Sequence, residues 1–354
     1  MLHAEPTPFS FAPFLRPQIW GGNRLAEWGK SIPAGDRIGE SWELSLHPFH
    51  VSRVVTPAQQ AHRTLGELWE TEQTRFLGRS LPGPVPFPML VKLLDCAEWL
   101  SIQVHPGDEH ARKHAARAAA AGTPPKDLFG KTEAWFILHA EPDAEMIVGL
   151  HPGVTPDDIL SLDRDRGPTL RKRTEQMFVR ERPQAGQFLL INPGTVHAAR
   201  GILVWEFQTP SDLTYRVFDW ERLGPNGKPR ELHLDLAIDT IDWSAPRAEI
   251  LPSPFPAGPP PGQPLMARLM AEPFQVEQIR IGSAGMTLPR GEMRVLCVSG
   301  GMVELQSGGL LPDLLTPGSL RLLPADLGAM KLLPKGESAD LLVVTPRVAG
   351  ATVP

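Results

Sequence analysis

The sequence predicts a mainly β protein, two jelly-roll β-sandwich domains with a small helical insert. Three observations predict it. The chain has 354 residues, 39 of them proline and 32 glycine, which suits many short strands joined by turns. Its apolar runs are short and broken by Pro, Gly and Asn, as between Phe9 and Arg53. A proline-rich stretch from Pro252 to Gly262 cannot hold a regular ladder, because proline has no N–H to donate. That break divides the chain into residues 1–245, a linker at 246–265 and a C-terminal domain at 266–354.

Taken in order, Phe9 to Arg53 reads as strands and loops, and Leu65 to Phe76 as a helix. The run Ser101 to Pro106 is a strand that ends at Pro106. Asp108 to Ala121 is a second helix, with an alanine-rich run free of β-branched residues. Thr155-Pro156-Asp157-Asp158 starts a third, with Thr155 as N-cap and Pro156 in the first position. That segment runs to about Gln176, and the helical insert comprises 108–121 and 155–176. Strands return at Phe188 to Ile191, Gly201 to Phe207 and Tyr215 to Trp220. Beyond the break, Phe274 to Val344 reads as strands between Gly and Pro turns.

Composition excludes several function classes. Hydrophobic residues make up 42% and charged residues 21%, ordinary for a soluble globular protein. The net charge of −5 gives no global basic field and argues against a nucleic-acid partner. An anionic small molecule would need a local cluster of Lys and Arg. Cys96 and Cys297 stand far apart in apolar runs and read as buried thiols. Met1 to Pro17 has neither a basic start nor a continuous apolar core, so no signal peptide or membrane span is expected and the cytoplasm is the default.

The chemistry concentrates around one strand. In Ser101-Ile102-Gln103-Val104-His105-Pro106, Gln103 and His105 share a face. Glu133, on Lys131-Thr132-Glu133, and His197, on the turn Asn192-Pro193-Gly194-Thr195-Val196-His197, supply a carboxylate and another imidazole. Gln103, His105, Glu133 and His197 can converge on one divalent ion. Lys131 shares a strand face with Glu133 and should sit beside that ion; otherwise the two form a surface salt bridge. Glu206 has apolar residues on both sides, so it should be buried with a raised pKa. His110 and His114 sit four apart on a helix, but no Glu follows His110, so the pair reads as a solvated face. His3, His47, His50, His62, His139, His151 and His233 read as structural or exposed.

Seven stretches carry a resemblance. They are Gln18-Ile19-Trp20-Gly21-Gly22, Gly39-Glu40-Ser41-Trp42-Glu43, Leu90-Val91-Lys92-Leu93-Leu94-Asp95, and Leu100 to Pro106 with Asp108-Glu109. Gly130-Lys131-Thr132-Glu133-Ala134-Trp135, Pro193-Gly194-Thr195-Val196-His197-Ala198 and Thr214 to Trp220 complete them. In this order, over residues 9 to 243, they resemble type I phosphomannose isomerase (mannose-6-phosphate isomerase) in its short bacterial form.

The resemblance implies a cupin fold and one zinc ion per chain held by Gln103, His105, Glu133 and His197. Gln103 stands where most cupins have a first histidine. The implied reaction interconverts mannose 6-phosphate and fructose 6-phosphate through a cis-enediol. Arg216, Lys131 and Glu206 are the implied catalytic residues, with Ser101, Lys92, Glu40 and Trp42 binding substrate. For Arg216 the plainer role is an ion pair with Asp219, for Glu206 an orienting contact to a ligand imidazole, and for Trp42 a place in the core. The region after the break has no histidine and reads as a decayed copy of the first barrel. Trp205 and Phe218 depart from the family in size and are expected to reshape the pocket. The partner is a small sugar phosphate, with no nucleic acid and no membrane; the chain is expected to be a monomer, with a dimer as the alternative. Two other classes stay open: another metal-dependent cupin enzyme of dioxygenase type, and a non-enzymatic sugar-binding cupin.

Overall fold

Alternation along the strand Ala198–Gln208 organises the N-terminal half. Its neighbours in one antiparallel sheet run Glu249–Leu251, Phe188–Ile191, Glu133–Leu150, Ala198–Gln208, Leu90–Cys96, Ile38–Leu44 and Phe14–Gly22. Phe178–Glu181 pairs with the far end of the long Glu133–Leu150 strand. In the computed structural model, the described residues are 7–80, 83–123, 127–162, 167–224, 227–244, 247–253, 255, 262–307 and 311–348. Pro254 and 256–261 of the proline-rich stretch, and His3, fall outside them.

The sheet separates two chemistries. Leu203, Trp205 and Phe207 point to one side, into a core shared with Phe274, Val295, Leu322 and Val344 of the C-terminal half. Glu206 and Gln208 point to the other side, where the polar site lies. A two-stranded sheet, Ile102–Val104 with Tyr215–Phe218, covers that side and is joined to the main sheet's return by a bridge between Gln103 and His197. A second apolar core, including Trp20, Trp135, Ile147, Val204 and Val217, fills the space around it. The C-terminal strands form a five-stranded and a four-stranded sheet with their own core between them, lined by Ile279, Leu296, Val303 and Leu341.

Five α-helices occur among the described residues: α1 (Leu65–Leu77), α2 (Asp108–Ala120), α3 (Pro156–Ser161), α4 (Gly167–Met177) and α5 (Leu234–Thr240). α1 begins with a capping box, in which Thr64 accepts from the Glu67 N–H and Glu67 accepts from the Thr64 N–H. α3 uses the same device with Thr155 and Asp158, and Pro156 lies at its start. α5 has no counterpart in the sequence reading. One boundary also moves: Glu249–Leu251 pairs with Phe188–Leu190. The sheet therefore extends into the stretch expected to be linker, up to the first proline, Pro252. No helix is long and apolar enough to cross a membrane among the described residues.

Candidate active site

Three elements deliver the metal-type ligands. His105 follows the short strand Ile102–Val104, and Pro106 stops that strand. Glu133 is the first residue of the long strand. His197 is held by a reciprocal backbone pair: Gln103 N–H donates to His197 O at 3.0 Å and His197 N–H to Gln103 O at 2.9 Å. The turn before it needs Gly194, whose φ is 83°. Glu133 Oε1 lies 3.1 Å from His197 Nε2, and Oε2 lies 3.5 Å from His105 Nε2.

The donor set has the features of a cation site. His105 Nδ1–H donates to Leu213 O at 2.7 Å and His197 Nδ1–H to Thr195 O at 3.0 Å. Those bonds fix the tautomers and leave both Nε2 atoms unprotonated, facing Glu133. His105 Nε2 and Glu133 Oε1 are buried with no hydrogen-bond partner, and Glu133 Oε2 is met by the Lys131 ammonium at 2.7 Å. One ligand atom from each of the three residues lies within 4.8 Å of the others. Bare nitrogens and a buried carboxylate are costly to bury together unless a cation satisfies them, so the residues fit a metal ion. The Gln103 amide lies beside them with its nitrogen, Nε2, 3.3 Å from His197 Nε2, while its oxygen accepts from Ser101 Oγ at 3.1 Å and is turned away from the three ligands. Ser101 is thus spent on orienting Gln103.

A row of charged side chains runs from this centre along the sheet. Trp42, Lys92, Glu206 and Trp135 face one another across four strands. Lys131, which lies just before the long strand, holds Glu133 at 2.7 Å and reaches Glu206 at 3.8 Å. This is a buried pair, where the plainer sequence reading had a surface bridge. Lys92 reaches Glu206 at 3.5 Å, Glu40 at 3.6 Å and Asp212 at 2.8 Å. Arg16 closes the row, on Glu40 at 2.9 Å and Asp212 at 3.3 Å.

Burial and charge set the protonation of this row. Burial pushes Glu206 up to about 7, against the pull of Lys131 and Lys92. Burial opposes the charge on Lys92, but Asp212, Glu40 and Glu206 outweigh it and hold the ammonium above its ordinary value. Burial would also raise Asp212, yet Lys92, Lys131 and Arg16 hold it below the usual carboxylate range. Burial and then the Lys131 charge lower His105 to about 4, which keeps its imidazole neutral as a ligand must be. Glu206 touches Trp135 Nε1 at 3.0 Å and the two lysines, and no contact to a ligand imidazole is found for it among the described residues.

Several expectations are corrected. Trp42 has no exposed surface; its indole N–H is bonded to Glu40 at 2.7 Å, and Arg16 and Lys92 lie over its ring. It supports the cations from behind. Arg216 does not pair with Asp219, because Arg222 and Arg230 occupy that carboxylate at 2.6 and 2.5 Å. Trp205 faces the core between the two halves and Phe218 packs edge-on against Trp220, so Trp205 does not shape the polar site. His114 is no solvated residue: it is buried, with Tyr215 Oη at 2.7 Å and Asp239 at 3.2 Å, because α2 lays that face on a strand far along the chain. His47, read as structural or exposed, is structural: it is buried and bonded to Asp127 at 2.9 Å. Sequence reasoning missed Asp212 and Arg16. Asp212 stands four residues before Arg216 on a loop, where no periodicity marks it.

Known proteins share this arrangement of sequence and fold. A family model described as phosphomannose isomerase type I, catalytic domain, matches residues 9–127. Mannose-6-phosphate isomerase ManA of Bacillus subtilis is 38% identical over 236 residues, 66% of this chain and 68% of that protein. The solved mannose 6-phosphate isomerase from Bacillus subtilis matches with a TM-score of 0.73 at 28% identity, over 96% of this chain and 99% of that one. A solved mannose 6-phosphate isomerase bound with zinc and yttrium shares the fold, with a TM-score of 0.71 at 17% identity over 96% and 99% of the two chains. With the ligand residues brought together in a mostly β, cupin-type fold, the chain belongs to the type I phosphomannose isomerase family.

Proposed function

We propose that this chain interconverts mannose 6-phosphate and fructose 6-phosphate through a cis-enediol, using one zinc ion per chain. The observation that carries the reading is the buried cluster of His105, Glu133 and His197, with one ligand atom of each within 4.8 Å of the others, beside a carboxyl pushed up to about 7. Two imidazoles and a carboxylate suit zinc, and the Gln103 amide adds a neutral oxygen once it is turned over from the orientation in which that oxygen accepts from Ser101. A protein of this fold is bound with zinc. When bound, zinc supplies Lewis-acid stabilisation of charge on the sugar's oxygens.

The rest of the chemistry belongs to side chains. Glu206, pushed up to about 7, can take a proton from C2 and return one to C1 near neutral pH. Lys131 donates a hydrogen bond to an oxygen of the enediol while its charge restrains Glu206. Arg216 has no ion pair among the described residues, and its guanidinium offers a permanent charge to the phosphate or to an enediolate oxygen. Lys92 and Glu40 wall the substrate, with Trp42 behind them, and Ser101 steadies Gln103. Burial of Glu133 and His197 keeps water from their ligand atoms.

Purified protein incubated with mannose 6-phosphate in deuterium oxide tests this reading. The expected product is fructose 6-phosphate with at least partial solvent deuterium at C1. No fructose 6-phosphate would remove the assigned reaction. Product without any deuterium after prolonged equilibration would remove the cis-enediol.

A further inference from the structure

Among the described residues, Arg216 has no charged partner to aim it. Asp219, its nearest carboxylate in sequence, is taken by Arg222 and Arg230, and Arg216 Nε is buried with no hydrogen-bond partner. A long flexible side chain left this way must be directed by its backbone. That backbone is held on two sides. In the small sheet Arg216 stands opposite Gln103, so its side chain shares the face of the metal ligands, while Tyr215 stands opposite Val104 and points away. On the free edge, His233 takes both main-chain groups of Arg216. Its N–H donates to Arg216 O at 2.8 Å, and its Nδ1 accepts from Arg216 N–H at 3.1 Å.

His233 is the residue just before α5, and α5 is anchored in turn. Asp239 on α5 accepts from His114 Nε2–H at 3.2 Å. Tyr215 O–H then donates to His114 Nδ1 at 2.7 Å. The directions are forced: a carboxylate only accepts, so Nε2 of a neutral His114 carries the proton and Nδ1 must accept. Lys113 and Arg117, on the same face of α2, hold Asp239 as well, at 3.0 and 3.4 Å. Tyr215 is the only tyrosine in the chain. It is buried, and its ring meets the His233 ring edge-on at 6.2 Å. Two residues earlier, Leu213 O fixes the tautomer of His105.

We propose that His233, with the chain Tyr215–His114–Asp239 that anchors α5, brackets the Arg216 backbone and so directs its guanidinium at the substrate. His233, His114 and Tyr215 are then positioning residues of the reaction. The inference rests on the role given to Arg216 under the proposed function. A misplacement of roughly 1 Å in such a group costs on the order of a hundredfold in rate.

The test is a double-mutant cycle in the full-length, zinc-loaded protein. His233→Leu removes the acceptor, His233→Asn keeps one near the place of Nδ1, and Tyr215→Phe removes only the hydroxyl. Each is made with Arg216 intact and with Arg216→Ala, and kcat, KM, bound zinc and melting temperature are read for all. With Arg216 intact, His233→Leu and Tyr215→Phe should lower kcat/KM by about tenfold or more with zinc retained, and His233→Asn should recover most of the loss. In the Arg216→Ala background the same changes should cost less than about twofold. Equal losses in both backgrounds would overturn the bracket, as would normal kcat/KM in Tyr215→Phe and His233→Leu. Near-normal turnover of Arg216→Ala alone would overturn the role of Arg216 and, with it, the bracket. If His233→Leu fails to fold, Tyr215→Phe and His233→Asn carry the same comparison.

Discussion

Glu206 lies between two ammonium groups, Lys92 at 3.5 Å and Lys131 at 3.8 Å, and still has its carboxyl pushed up to about 7 by burial. Glu206→Gln keeps the shape and removes the proton carrier, so kcat should fall by about 10² to 10⁴ with zinc content unchanged. Loss of zinc in that variant would mean that Glu206 supports the ligands and does not move the proton. Tyr215 offers an independent check on local geometry. Burial, and then the Asp127 charge, push its phenol from 10.0 up to about 12. Because it is the only tyrosine, an ultraviolet titration reads it alone. The folded protein should show its midpoint near 12, against about 10 after unfolding. The raised value means that this group's contribution to stability is complete below the unfolded pKa and is lost as pH rises through the folded one. A folded midpoint near 10 would contradict the buried hydroxyl. At this scale the sequence was legible where period and turn place a residue, as with Gln103 and His105 on one strand and His197 after a glycine turn. It was not legible for Asp212 or His114, whose partners are set by loops and helices brought together only in the fold.

The turn at Gly194 shows how an element carries the site. Gly194 has φ 83°, and a Cβ there would meet the Asp242 backbone nitrogen and Cβ at 3.0 Å. Its N–H also donates to His105 O at 2.9 Å. Gly194→Ala should therefore destabilise the protein by about 1 kcal/mol or more and weaken zinc binding, because the turn links both histidines. Equilibrium unfolding and zinc affinity on one sample check this, and wild-type values for both would show that the turn tolerates the side chain. α1 supplies a contrasting case. Thr64→Ala removes its capping-box acceptor and should cost about 1 kcal/mol while leaving kcat unchanged, since α1 contributes no group to the polar row. α1, α2 and the start of α3 were readable because caps and an alanine-rich run identify them locally. α5 was not, because Leu234–Thr240 is too short to display a helical period. Glu249–Leu251 was missed for a similar reason: three residues before a proline tract carry no alternation of their own.

At the scale of the whole molecule, the two halves share a core. Phe9 N–H donates to Leu322 O at 2.9 Å, and Phe9, Phe76 and Trp205 pack with Phe274, Val295 and Leu342. Truncation after Pro252, which keeps the strand Glu249–Leu251, would expose this surface to water, so the shortened protein should be poorly soluble, with its residual folded fraction still binding zinc. A soluble, folded truncation that has lost zinc would show that the C-terminal half supplies part of the site. Strand-rich composition made that half legible as a β-sandwich, but the return of the N-terminal strand onto it depends on long-range packing that local pattern does not encode. The central claim is that His105, Glu133 and His197 hold the metal on which isomerisation depends. Its most direct test strips the metal with a chelator, adds zinc back in steps, and measures bound zinc and mannose 6-phosphate turnover on the same samples, beside His197→Ala. Activity should rise in proportion to bound zinc and level off at about one zinc per chain, and His197→Ala should neither bind zinc nor turn over substrate. Full activity in the stripped protein, or full zinc in His197→Ala, would contradict it.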